Sequence, residues 1–289
     1  MLQVARLAPR LLGESAELVA AFLRGQMNAD GGFRNRAGDS DLYYSVFAVD
    51  ALLALRAEIP FAAIVPYFQK CQADVQRMDL VHLACLARAW AATPPDLRSA
   101  PARDEILHRL AEFRSADGAF NAAPGASRGT LYGCFLATGA CQDLGLAPPD
   151  PVAMLACIQG LRAADGGYAN DLDMAMGLTP STAAAVALLR QFGAPVPADL
   201  SRWLLARHHP SGGFFATATA PVPDLLSTAT ALHALNALHA DLSAVREPCL
   251  DFIDSLWTSR GAFYGTWEDD ATDCEYAFYA LLALGHLSL

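Results

Sequence analysis

Two kinds of helical hydrophobic pattern take turns along the chain. One is amphipathic, with apolar residues on a single stripe at a 3.6-residue period, and the other is apolar almost all round. The amphipathic kind covers roughly 14–27, 60–75, 102–114, 150–163, 197–208 and 243–258; the apolar kind covers roughly 41–56, 79–92, 129–140, 180–192, 224–238 and 273–286. Several amphipathic segments open on an acidic residue or a proline, as first helical turns prefer. A helix with one greasy stripe belongs outside a helix that is greasy on every side, so the alternation predicts an outer and an inner wall. No alternating β-branched runs compete with this reading. The opening stretch, MLQVARLAPRLLGESAELVAAFLRGQM, reads as an amphipathic helix and lacks the unbroken apolar core of a signal peptide.

A short signature punctuates the pattern: DGGF at Asp30 to Phe33, DGAF at Asp117 to Phe120, DGGY at Asp165 to Tyr168, SGGF at Ser211 to Phe214 and RGAF at Arg260 to Phe263. Its aromatic positions are 87, 48, 46 and 49 residues apart, so the first interval is close to two periods and hides a decayed copy near 72–78. Each copy lies between an outer and an inner segment, where glycine permits the tight turn that reverses the chain. Six such hairpins predict an all-α protein, an (α/α)6 toroid forming a single domain over 1–289. An open α-solenoid is the alternative, but solenoids carry polar caps and this chain ends on an apolar inner segment.

Composition adds what the ring would hold. Hydrophobic residues make up 54% of the chain and charged ones 17%, enough for a sizeable core or an apolar cavity. The net charge is −10 and Lys70 is the single lysine, which argues against nucleic acid or a polybasic membrane anchor as partners. No run approaches the roughly 18 apolar residues of a transmembrane span. The seven cysteines (71, 85, 134, 141, 157, 249, 274) are odd in number and form no CxxC pair, which fits free thiols and a cytoplasmic location.

The order Gln, Asp-Gly-Gly-Phe, Asp and then an apolar helix, as in QMNADGGFRNRAGDSDLYYSVFAVDALLAL, resembles the repeats of protein prenyltransferase β subunits and, more loosely, of squalene cyclases. The resemblance runs over nearly the whole chain. It implies a cup with an apolar centre that holds an isoprenoid or another hydrophobic small molecule, open where the inner helices begin, and it leaves room for a protein partner. The family's zinc residues are not matched. Asp224-Leu225-Leu226 stands where an Asp-x-Cys should open the fifth inner helix, and Tyr276 stands where a histidine should be. One carboxylate cannot supply zinc's tetrahedral donor set, so zinc is not expected. Ala216 to Pro223 also lacks the basic residues that would hold a diphosphate.

Four inner segments start at an aspartate: Asp41, Asp79, Asp224 and Asp273. Aspartate is a favoured helix cap, and in a ring such caps also converge on the mouth. The densest cluster is Trp267 to Tyr276. In it Asp273-Cys274 is similar to the Asp-Cys pair of oxidosqualene cyclases, which implies Asp273 as general acid with Cys274 hydrogen-bonding to it; Asp224 is a further catalytic candidate at the mouth. DDATD in the same cluster matches the Asp-Asp-x-x-Asp of class I terpene synthases. That match offers magnesium at Asp269, Asp270 and Asp273 as the alternative to a cofactor-free site. Expected substrate contacts are Asp41, Tyr44, Asp79, His82, Arg128, Tyr132 and Tyr276, with aromatic faces available to stabilise passing positive charge. The sequence reading is therefore an acid-initiated isoprenoid cyclase. A non-catalytic lipid- or partner-binding ring and a magnesium-dependent prenyl transfer to a small molecule stand as alternatives.

Overall fold

A computed structural model describes residues 1–98 and 102–289. Among them, the outer helices are α3 (Ser15–Gly25), α5 (Phe61–Ala73), α7 (Ala102–Ala111), α9 (Pro151–Gly160), α11 (Leu200–Leu205) and α13 (Ser243–Ser255). The inner helices are α4 (Leu42–Leu55), α6 (Leu80–Ala92), α8 (Leu131–Asp143), α10 (Thr179–Gln191), α12 (Leu225–Ala237) and α14 (Cys274–Leu287). Each inner helix packs on the next in chain order, and α14 packs on α4, which closes the ring. The all-α toroid expected from the two patterns is the observed fold.

The signature explains why the hairpins close. Its aromatic residue, Phe33, Phe120, Tyr168, Phe214 or Phe263, is no more than 2% exposed and plugs the corner between the two walls. Burying each such ring contributes about 1.5–3 kcal/mol. The backbone N–H of Phe33, Tyr168 and Phe214 donates to Ser45, Thr182 and Thr228 of the following inner helix. The preceding glycine takes a positive φ in all five copies, at Gly31, Gly118, Gly166, Gly212 and Gly261. At Gly212 a Cβ would stand 1.8 Å from the Pro248 carbonyl oxygen, so no other residue fits that turn. The decayed copy is a single 3-10 turn, Val75–Arg77, leading directly to the cap of α6.

The first 27 residues correct one expectation. They form three short helices, α1 (Leu2–Ala5), α2 (Pro9–Leu12) and α3, rather than one. Pro9 starts a new helix at its first turn, and Gly13, at φ 54°, ends it. The break lets α1 fold across α14 and α4 at the ends of the inner helices away from their caps. There, a Cβ on Gly285 would lie 2.2 Å from the Val4 carbonyl oxygen. The ring therefore has a mouth at the inner-helix N-termini and a floor at the opposite end. No helix of the described residues is long and apolar enough to cross a membrane.

Candidate active site at the ring mouth

All four aspartates cap their helices. Asp41 accepts from the N–H of Tyr43 at 2.7 Å, Asp79 from His82 at 2.8 Å, Asp224 from Ser227 at 2.6 Å and Asp273 from Tyr276 at 2.9 Å. Beyond the cap their surroundings diverge. Asp273, with only 2% of its side chain exposed, receives Arg36 Nε at 2.8 Å, while Arg36 Nη2 meets Asp269 at 2.7 Å. The Arg36 guanidinium also lies 5.3 Å from the centroid of the Tyr276 ring. One arginine from the loop after the first signature thus ties down two carboxylates of the last repeat. Cys274 is fully buried in the wall, where desolvation pushes its thiol up.

Asp41 and Asp79 share His82, whose Nδ1 is 2.9 Å from Asp79 and whose Nε2 is 3.8 Å from Asp41. The nearby Asp41 carboxylate, with help from Asp79, raises the imidazole to about 9, so His82 is a cation at neutral pH and a poor base. Arg128 is exposed in the loop ahead of α8. Asp270 takes no hydrogen bond with the Arg36 pair, and no group of three or more His, Cys, Asp or Glu among the described residues is placed to hold a metal ion.

Among the described residues Asp224 has no cation and its side chain accepts only from the Ser227 N–H, and burial pushes its carboxyl above the usual aspartate range. A second buried carboxyl, which the sequence reading passed over, lies in the first turn of α14. Glu275 accepts from the Tyr43 hydroxyl at 2.6 Å, and burial raises it too. Glutamate in a first helical turn reads as a partner of the helix dipole, so only its contact with Tyr43, 232 positions away, marks it out. The fields of Asp224 and Glu275 both reach Tyr276 and Tyr279.

Aromatic rings continue inward from these acids. Tyr43 packs edge-on against Phe47 at 4.9 Å, and Phe47 meets Phe278 at 5.7 Å and Tyr279 at 5.5 Å. Although both walls enclose them, Phe47, Cys85, Phe135, Ala184 and Tyr279 all keep accessible surface. Tyr132, on the same face of α8, is 43% exposed. Burial raises the phenols of Tyr43, Tyr132 and Tyr279, so they stay neutral and present π faces rather than phenolates. Recesses of about 330 Å3 at Gln69, Gln76 and Glu105 and of about 230 Å3 at Arg246 and His286 lie elsewhere, and neither has an aromatic lining.

Known proteins share this architecture. No curated protein matches by sequence. The unliganded type II terpene cyclase MstE from Scytonema is similar with a TM-score of 0.60 and 14% identity, over 100% of this chain and 98% of that one. Protein geranylgeranyltransferase-I from Candida albicans, complexed with GGPP, gives 0.62 and 13% over 92% and 89%. A protein from Actinoplanes gives 0.64 and 16% over 95% and 98%. At such identities the likeness is one of fold. By sequence, the model of the prenyltransferase alpha-alpha toroid domain matches residues 6–215 and 184–288, and the chain belongs to that family.

Proposed function

We propose that this protein is an isoprenoid-processing enzyme that starts cyclisation by protonating a terminal alkene in an aromatic-lined lumen, without zinc. The observation that carries the reading is Asp224: a desolvated carboxyl with no cation among the described residues, whose field reaches Tyr276 and Tyr279. A carboxyl whose pKa is raised by burial keeps its proton to higher pH than an ordinary aspartate and can pass it to a weak base held against it. The proton from Asp224 forms a new C–H bond as the alkene gives up its π electrons. Downstream π bonds close carbon–carbon bonds onto the resulting cation, and the last cation returns a proton to a carboxylate, so the acid is regenerated.

Neutral rings suit the cationic stages. Phe47 and Tyr279 offer quadrupoles that stabilise positive charge and provide no lone pair strong enough to trap it. Tyr44, Tyr132 and Tyr276 form the upper wall around the substrate. Asp273, held by Arg36, acts as a positioning residue for the rim, and Cys274 packs behind it. Asp41, Asp79 and His82 close the other side as an ion cluster, with Arg128 outside it.

The magnesium alternative draws no support from the donor set, because Arg36 already occupies two of the three carboxylates of DDATD. Likewise, Asp224 belongs to no group of three or more His, Cys, Asp or Glu among the described residues that could hold zinc.

The test is incubation of the purified protein with linear isoprenoids and their diphosphates, with and without magnesium, followed by product analysis. Cyclised product that disappears in Asp224→Asn supports the reading. Product that persists in Asp224→Asn overturns it, as does strict magnesium dependence with release of diphosphate. Stable retention of unreacted isoprenoid would place the chain among non-catalytic binding rings.

A further inference from the structure

The floor of the ring is polar, which an all-hydrocarbon ligand does not need. Asp50, Arg88 and His233 each stand nine positions past the caps of α4, α6 and α12, so they share one level, about 13 Å below the mouth at the helical rise of 1.5 Å per residue. Asp143 and His286 end their helices just beneath. His233 Nδ1 and His286 Nε2 are 3.0 Å apart, and burial lowers the two rings to about 4 and about 3, so both are neutral. The charged members are therefore Arg88, Asp50 and Asp143, and the partly buried Met1 α-amino group stands close enough to act on Asp50, Arg88 and both imidazoles.

Arg88 is only partly satisfied. Its Nε donates to Asp50 at 2.5 Å, and Asp50 is 4% exposed. Its Nη groups make no hydrogen bond within the described residues, and 36% of the side chain remains accessible despite its depth. Asp143 Oδ2 lies 3.9 Å from Arg88 Nη1, too far for a hydrogen bond and close enough for one oxygen atom to bridge. Such an oxygen accepts from Nη1 and donates to the carboxylate. A hydroxyl does both. A carboxylate or phosphate head does only the first and leaves the Asp143 carboxylate without a donor.

We infer that the deep end of the lumen recognises a hydroxyl-bearing head, and that the substrate is an isoprenoid alcohol or phenol bound head-down between Arg88 and Asp143. The inference rests on the proposed reading of the lumen. It also orients the reaction, because a head at the floor leaves the terminal alkene, the far end of a linear isoprenoid, at the mouth beside Asp224. Burial lifts Asp143 only to about 6, so at neutral pH its carboxylate still accepts from the hydroxyl. At the mouth Arg36 and His82 are already paired with carboxylates, and Arg128 is exposed in the loop ahead of α8.

Equilibrium dialysis of the full chain with farnesol and with its deoxy analogue, the hydroxyl replaced by hydrogen, tests this. Wild type is expected to hold the alcohol about tenfold tighter, the factor a 1.4 kcal/mol difference gives. Asp143→Ala, which leaves the Arg88–Asp50 pair in place, is expected to bring the two probes to near parity with the deoxy affinity unchanged. Because Arg88 removal alone would strand the buried Asp50, the second variant combines Arg88→Gln with Asp50→Asn, and the same parity is expected. Equal binding of both probes by wild type, or an unchanged preference in both variants, overturns the floor assignment and leaves the lumen standing. Binding of neither probe overturns the lumen reading and this inference with it.

Discussion

The entrances of α12 and α14 begin alike and end differently. Each is capped by an extended aspartate that accepts the N–H three residues on, Asp224 from Ser227 and Asp273 from Tyr276. At Asp273 a guanidinium from the first repeat crosses the closing seam of the ring; at Asp224 nothing comparable arrives. The same residue in the same local role is thus held by a guanidinium in one repeat and is a desolvated carboxyl with a raised pKa in the other. A cap therefore says little about chemistry until the opposite wall of the ring is known, because a neighbouring charge within about 4–6 Å outweighs the local geometry.

The largest test of that contrast is catalytic. Asp224→Asn preserves shape and is expected to lower cyclisation by about 10²–10⁴-fold, the range removed with a general acid, whereas Asp273→Asn should cost far less turnover; product formation under single-turnover conditions reads both. Equal losses would erase the distinction between the two caps. Next comes Arg36→Met, which leaves the nearly inaccessible Asp273 without its partner and is expected to cost about 1–3 kcal/mol in chemical denaturation. Adding Asp273→Asn should recover part of that loss, and the double-mutant cycle isolates the coupling.

Smaller effects follow from pH. Burial raises the carboxyl of Asp224 in the folded state, so its contribution to stability is present below the unfolded aspartate value near 4 and is lost as pH rises through the higher folded one. Asp224→Asn is therefore expected to gain stability relative to wild type as the pH is raised, seen as a growing difference in thermal midpoint. His82 is raised to about 9 by Asp41 and Asp79, so its contribution is complete below about 6.5 and fades as pH climbs through about 9. The side chain is 37% exposed, so solvent screening holds the change to well under ~1 kcal/mol. A His82→Gln variant should flatten that slope and move little else.

What could be read along the chain was what repeats locally. The Asp-Gly-Gly-aromatic turn fixed the six hairpins because its glycine conformation and its buried ring belong to one short segment. Asp41, Asp79, Asp224 and Asp273 were likewise recognisable as caps, since a cap is a contact over three residues or fewer. The start of the chain misled because Pro9 and Gly13 sit inside an otherwise amphipathic stretch, and their breaking effect outweighs the period. The contacts that give the site its character lie outside any local window. Arg36 reaches Asp273 across 237 positions and Tyr43 reaches Glu275 across 232, both over the seam where the last repeat meets the first. Arg88 and Asp50 are 38 apart on neighbouring helices, and nothing in their spacing marks them as a pair.

The central claim is that Asp224 alone among the mouth caps is free to carry a proton at the lumen. It is tested most directly by a carboxyl carbon NMR titration of the unliganded protein, with the resonance assigned by its loss in Asp224→Asn. The account predicts a midpoint clearly above the ordinary aspartate value near 3.9. A midpoint at or below that value would show a carboxylate stabilised as its anion, which contradicts an acid that delivers protons to an alkene.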